Sequence, residues 1–294
     1  MVLHLALSSL AQMINSHCAA TCSPAGMRGA QTSITMSRRA RLRQTRPLWL
    51  DPLAGLAMSE TPNTSAQALR FCLKLLEKLR YRVGVHKAFE DLVCMSALAI
   101  SNSVDRTNFQ ERESQYMAIS RGYEKEDLLA LQQCLGCVVA GLEFEHHDFL
   151  GKLYMEMELG KKSAGQFFTP YTVCKAMAEI TVHDVKARID EKGFITVWEP
   201  CSGSGAMVIA VAESLMDSGY SHRSNMHVVC QDIDITAVQM TYVQLSLLGI
   251  PAVVLHGNSL FGEIKSTWFT PGHVLGRWSD RLAANEHLKN GRAF

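Results

Sequence analysis

The sequence is most informative first by what it lacks. Its opening 50 residues contain no aspartate, glutamate or lysine, only six arginines as charged residues. The remaining residues hold 23 basic and 28 acidic side chains, so the body is slightly acidic under a formal net charge of +1. A surface of that balance excludes a protein coated in positive charge, and any nucleic-acid contact must come from a local patch. No uncharged apolar run approaches the ~20 residues that a membrane-spanning helix needs, and no membrane partner is expected. Nine cysteines show no disulfide spacing, which suits a reducing compartment. Cys134 and Cys137 form a lone CxxC within a helical apolar pattern, where helix packing is the expected role and no metal is assigned; Cys18 and Cys22 receive none. Finally, none of the eight prolines is adjacent to another.

Residues 1–57 have no sustained period of two or 3.6, and carry the cluster Arg38, Arg39, Arg41, Arg43 and Arg46. Three readings fit: a start-site misassignment with Met58 as the true start, a disordered basic arm, or a targeting leader. None gives the segment chemistry.

From Ser65 the pattern is helical, with Leu69, Cys72, Leu73, Leu76 and Leu79 on one face. Further helices are predicted over 86–101, 109–120, 125–142 and 149–159, making residues 58–164 a helical domain. Residues 160–165 read as a linker. Thr169-Pro170 then starts a helix running to about Val182, with a hydroxyl cap and proline at the first position. Next come predicted strands at 194–198, 226–230 and 252–255, separated by helices at 206–218 and 235–248. That alternation implies a parallel sheet, whose ligands sit beyond the carboxyl ends of the strands.

The residues beyond those ends are distinctive. The first strand leads into Glu199-Pro200-Cys201-Ser202-Gly203-Ser204-Gly205, a loop whose glycines allow close backbone approach and whose following helix presents its amide end. The second leads into Gln231-Asp232-Ile233-Asp234, where a carboxylate can accept from two ribose hydroxyls. The third leads into Gly257-Asn258-Ser259-Leu260, where an amide can read an adenine edge or serve ordinary turn chemistry. Val208 stands where GxGxxG requires its third glycine, which argues against a dinucleotide pyrophosphate. The set fits an adenosine nucleoside with a small tail, best S-adenosylmethionine.

Together with Gly165-Gln166-Phe167-Phe168-Thr169-Pro170, these segments resemble the first ordered motifs of N-6 adenine DNA methyltransferases, above all the modification subunits of type I restriction systems. Phe89-Glu90-Asp91, and the stretch from Phe149-Leu150-Gly151 to Gly160, are similar to the helical domain of that family, so the resemblance covers about residues 80 to 260. It implies an α/β fold, with the helical domain followed over 165–294 by a truncated Rossmann-like methyltransferase sheet. It implies S-adenosylmethionine as cofactor, held by Phe168, Thr169, Glu199, Gly203, Gly205, Asp232 and Asn258. It implies adenine in DNA as substrate, a specificity or partner subunit, and a bacterial or phage-encoded cytoplasmic protein. Phe167 and Phe168 have core packing as an alternative, Thr169 helix capping, and Asp234 is expected to cap a helix or lie in solvent.

The family's catalytic Asn/Asp/Ser-Pro-Pro-Tyr/Phe motif is absent. It serves to accept the hydrogens of a poorly nucleophilic amine and to stack the flipped base. Trp268, Phe269, Thr270 and Pro271 are candidates to replace it; the other expectation is that a tail helix covers an incomplete three-stranded sheet and buries Trp268, Trp278 and Leu282. Arg277, Arg281, Lys289 and Arg292 give that tail a basic side. Three functions therefore stand: an adenine DNA methyltransferase, a cofactor-binding subunit without catalysis, and a methyltransferase for another substrate.

Overall fold

The structure, a computed structural model, describes residues 62–158, 168–183 and 186–290. The arginine-rich leader, Met58, Cys18, Cys22, the linker and Gly165-Gln166-Phe167 lie outside the described residues.

Five helices come first: α1 (Ser65–Lys78), α2 (Val85–Val104), α3 (Phe109–Ser120), α4 (Lys125–Phe144) and α5 (Phe149–Glu158). Thr64 starts α1 by accepting the Gln67 N–H at 3.2 Å, and the buried face of the helix is Ala68, Leu69, Cys72, Leu75 and Leu76. That face packs on α4, where the Cys72 and Cys134 thiols each contact the other's backbone carbonyl. Burial raises the Cys137 thiol well above its ordinary range, and Cys134 and Cys137 are both buried helix residues. Among the described residues no group of three His, Cys, Asp or Glu side chains could hold a metal ion. With twenty residues and an apolar sequence, α4 has the length and composition of a membrane span, yet most of it is buried against the other helices.

The second half alternates: α6 (Tyr171–His183), α7 (Lys186–Lys192), β1 (Ile195–Glu199), α8 (Ala206–Asp217), the single turn α9 (His222–Asn225), β2 (Met226–Asp232), α10 (Ile235–Leu248) and β3 (Ala252–His256). Strands β1, β2 and β3 are parallel neighbours, as the alternation predicts. Asp234 caps α10 by accepting the Thr236 N–H at 2.9 Å, and Gly249 ends it in a left-handed conformation at φ 70°.

Two expectations need correction beyond β3. A fourth strand exists, β4 (Ser266–Phe269), and it runs antiparallel to β3, so the sheet is mixed, in the order β1-β2-β3-β4. The single tail helix is two, α11 (Pro271–Leu275) and α12 (Trp278–Asn290), broken where Arg277 takes φ 50°. Trp268 and Trp278 are buried as expected, while Leu282 is half-buried. The basic tail has internal partners: Arg277 pairs with Asp280 at 2.8 Å, and Arg281 lies over Trp278 and donates to the Ser224 carbonyl at 2.9 Å.

The helical half and the sheet share one hydrophobic core. α10 packs against α2, and residues as distant as Leu76, Phe149, Ile209 and Val254 belong to the same buried cluster. At the far margin of the sheet, β1 is an edge strand paired only with β2 among the described residues, and its Trp198 is 54% exposed.

Candidate functional site

The site forms where β1 and β2 end. β1 delivers Glu199 and the loop that follows, and β2 delivers Asp232 two residues beyond Cys230, the register partner of Glu199. Gly203 at φ 54° and Gly205 at φ 94° turn the loop through left-handed conformations costly for any side chain, and Gly205 caps α8. The Ser202 N–H donates to the Gln231 carbonyl at 3.0 Å and the Thr241 hydroxyl to the Gly203 carbonyl at 2.9 Å. The loop is thus fixed to β2 and α10.

Asp232 is its third anchor. One carboxylate oxygen accepts the Gly203 N–H at 2.8 Å and the other accepts the Asp234 N–H at 3.0 Å. These bonds leave further lone pairs on the carboxylate, which faces the cavity beside the loop. Glu199 accepts the Cys201 N–H at 3.3 Å, and its carboxyl is raised, chiefly by burial and further by the Asp232 charge.

Phe168 closes one wall. A methyl group on Gly203 would meet its ring at 3.0 Å, so the aromatic lies directly on the glycine loop. Its other side meets Tyr154 of α5, ring centroids 5.4 Å apart and nearly edge-on.

The cavity is an open cleft of about 590 Å³, within the range of small-molecule sites. Of the residues predicted from sequence, Phe168, Thr169, Glu199, Gly203 and Asp232 line it. Gly205 stands just behind, supplying the turn. Asn258 does not reach it: its side chain accepts the Leu260 N–H at 3.0 Å and its carbonyl the Glu263 N–H at 3.0 Å, the turn role of this residue. Sequence reasoning missed Cys174 and Met177 on α6, and Met207 and Ala237 on α8 and α10. An i, i+3 pair on the helix after Thr169-Pro170 was the available signal for the first two.

The tail candidates are built into the framework instead. Trp268 is buried between the Arg112 guanidinium, 4.2 Å from its ring, and Tyr242. The fully buried Thr270 hydroxyl donates to the Ile250 carbonyl at 2.9 Å and accepts the Ala252 N–H at 2.8 Å, and Pro271 is the first residue of α11. Phe269 is stacked near His273, and none of these four residues lines the cavity.

Electrostatics narrow the ligand. Glu199, Asp232 and Asp234 line the cavity, and no lysine or arginine is among its described lining residues. Such a wall disfavours a phosphate and favours a ligand that carries positive charge. The fold and site define an α/β protein with an acidic-walled cavity at the carboxyl ends of parallel strands.

The family comparison agrees with the motifs. Residues 146–282 match the family model described as N-6 DNA Methylase. A type I restriction-modification system methyltransferase subunit from Streptococcus thermophilus is 17% identical at a TM-score of 0.35, covering 90% of this chain and 54% of that one. A class I S-adenosylmethionine-dependent methyltransferase from Listeria monocytogenes is 15% identical at a TM-score of 0.37, covering 68% and 56%. The chain thus spans little more than half the length of either, and no curated protein matches it.

Proposed function

We propose that the protein binds S-adenosylmethionine in this cavity and transfers its methyl group to the N-6 amine of adenine in DNA. The observation that carries the reading is the convergence of the glycine loop and Asp232, joined by the Gly203–Asp232 bond, inside the segment that matches the N-6 DNA Methylase family. The residues fit the cofactor. The glycine cradle lies so close beneath Phe168 that a side chain there would push on the ring, Asp232 has acceptor capacity for ribose hydroxyls, and the acidic wall suits a sulfonium and an ammonium. When bound, the cofactor supplies an electrophilic methyl on a positively charged sulfur. The chain's part is to orient the nucleoside through Asp232, to hold an aromatic wall with Phe168, and to place Glu199 near the cationic tail.

A second reading is a cofactor-binding subunit that works with a partner in a DNA-modification system. The burial of Trp268, Thr270 and Pro271 favours it, because those side chains are committed to the framework rather than to a base. By the same token, the base-handling groups of an active enzyme come from elsewhere than Trp268–Pro271.

Labelled methyl transfer from S-adenosylmethionine to unmethylated DNA tests the first reading. The full chain is expected to label adenine, and Asp232→Ala to abolish labelling while remaining folded by circular dichroism. Binding of S-adenosylhomocysteine with no labelling would select the second reading, and no binding would reject both. Gly203→Ala is expected to weaken S-adenosylhomocysteine about tenfold, since its methyl group meets the Phe168 ring and α_L alanine is strained by ~1 kcal/mol. Isothermal titration of the two proteins checks it.

A further inference from the structure

Asp148, immediately before α5, is 6% exposed, and the proposed reaction gives it no task. It lies 56 residues from the glycine loop in sequence and touches that loop directly: one carboxylate oxygen accepts the Ser204 hydroxyl at 2.5 Å. The other accepts the Gly151 N–H at 2.9 Å, capping α5, and the Gln244 side-chain amide at 2.8 Å. Gln244, fully buried on α10, completes the cluster by donating to the Ser204 carbonyl at 2.8 Å and accepting the Leu150 N–H at 3.0 Å. The first turn of α5 closes tightly on the loop. A methyl group on Gly151 would stand 2.0 Å from the Asp148 carboxylate and 2.5 Å from the Ser204 hydroxyl.

Ser204 sits between the two left-handed glycines, and it is 1% exposed. The loop is therefore gripped from opposite sides: Asp232 holds Gly203 from the cavity, and Asp148 holds Ser204 from the core. We propose that Asp148 is a positioning residue of the cofactor site, using the N-terminus of α5 and Gln244 as a fixed base from which it sets the glycine loop in its ligand-ready shape. This rests on the cofactor reading for its functional consequence, and on the loop alone for its structural one. A loop already set before binding loses less conformational entropy on binding, so the grip appears as affinity.

The variants separate loop positioning from simple helix capping. Ser204→Ala removes only the bond from Asp148 to the loop and leaves the α5 cap and the Gln244 bonds in place. Asp148→Ala removes the loop link, the α5 cap and the Asp148–Gln244 bond together, whereas Asp148→Asn retains an acceptor for Gly151 and Gln244 and an amide that donates to Ser204. Two readouts are needed on the full chain: hydrogen exchange of the 202–206 amides, and affinity for S-adenosylhomocysteine. The expectation is at least tenfold faster exchange of the loop in Ser204→Ala and Asp148→Ala, with β2 and α10 amides unchanged in Ser204→Ala. Affinity falls about tenfold in each, no further in the double variant, and stays within threefold of the parent in Asp148→Asn.

Loop exchange unchanged in Ser204→Ala overturns the proposal, as does parental affinity in that variant when the parent binds. If the parent itself does not bind S-adenosylhomocysteine, the cofactor reading fails. Loop exchange then still decides whether Asp148 sets the loop.

Discussion

Acidification from pH 7 to 4 is expected to remove on the order of 4 kcal/mol of stability through two histidines, His222 and His227, at about 2 kcal/mol each. Both are buried, and burial, with neighbouring positive groups adding to it, pushes each imidazole down to about 4. His227 shares a 2.9 Å hydrogen bond with His273, which bonds in turn to Ser279 at 3.1 Å, and Trp278 and Arg281 pack beside it. One proton serves the His227–His273 contact, and a second placed there would set two N–H groups face to face. His222 donates to the Leu248 carbonyl at 3.0 Å, and its other ring nitrogen is buried without a hydrogen-bond partner, with Arg223 and His146 nearby. The unfolded chain takes up protons near the ordinary value of 6.5 and the folded chain only near 4. The stabilisation is therefore complete above about pH 6.5 and is lost as pH falls toward 4. Urea unfolding of the parent and His227→Gln at pH 7 and 4.5 measures it. The variant is expected to show about half the parental loss from this source, and an identical pH dependence in the two proteins would refute the assignment.

Arg112→Met is expected to cost about 3–5 kcal/mol, the range for leaving one member of a buried ion pair alone. The guanidinium is buried at the junction of the two halves. It pairs with Asp105 at 2.6 Å, bonds to the Ser101 hydroxyl, and donates to the Thr267 carbonyl on β4 at 2.9 Å while lying over Trp268. Methionine fills much of the same volume but orphans the carboxylate and the carbonyl together. Lysine fails for a different reason, since it has neither the planar fork nor the stacking face. Adding Asp105→Asn to Arg112→Met removes the uncompensated charge and is expected to return at least ~1 kcal/mol. Chemical unfolding of the four proteins in that cycle measures both terms, and strict additivity would show that the pair does not act as one.

What the sequence made legible, and what it hid, follow the reach of the interactions concerned. The helix from Ile235 to Leu248 is bounded by its own signals, an aspartate cap before it and a glycine after it, and both ends were readable. The strands before Glu199 and Asp232 were readable as short β-branched runs between helices. β4 was not, because four residues carry little pattern and its support comes from Arg112 and Tyr242, far back in the chain. Within the site, Asp232 was legible because its position after a strand is a local fact. Asp148 was not, because its partners Ser204 and Gln244 are 56 and 96 residues away, a distance over which no period or spacing speaks.

The edge position of β1 makes the protein lopsided as an object to build on. Strands lie ~4.8 Å apart, so β4 is some 14 Å from β1 across the sheet. A strand grafted beyond β4 would extend the molecule while leaving the cavity untouched. A strand laid against β1 would stand next to Trp198 and end beside Glu199 and the glycine loop, so its next residues would form a new wall of the pocket. For the engineer, one edge of this sheet is a handle and the other is a keyhole.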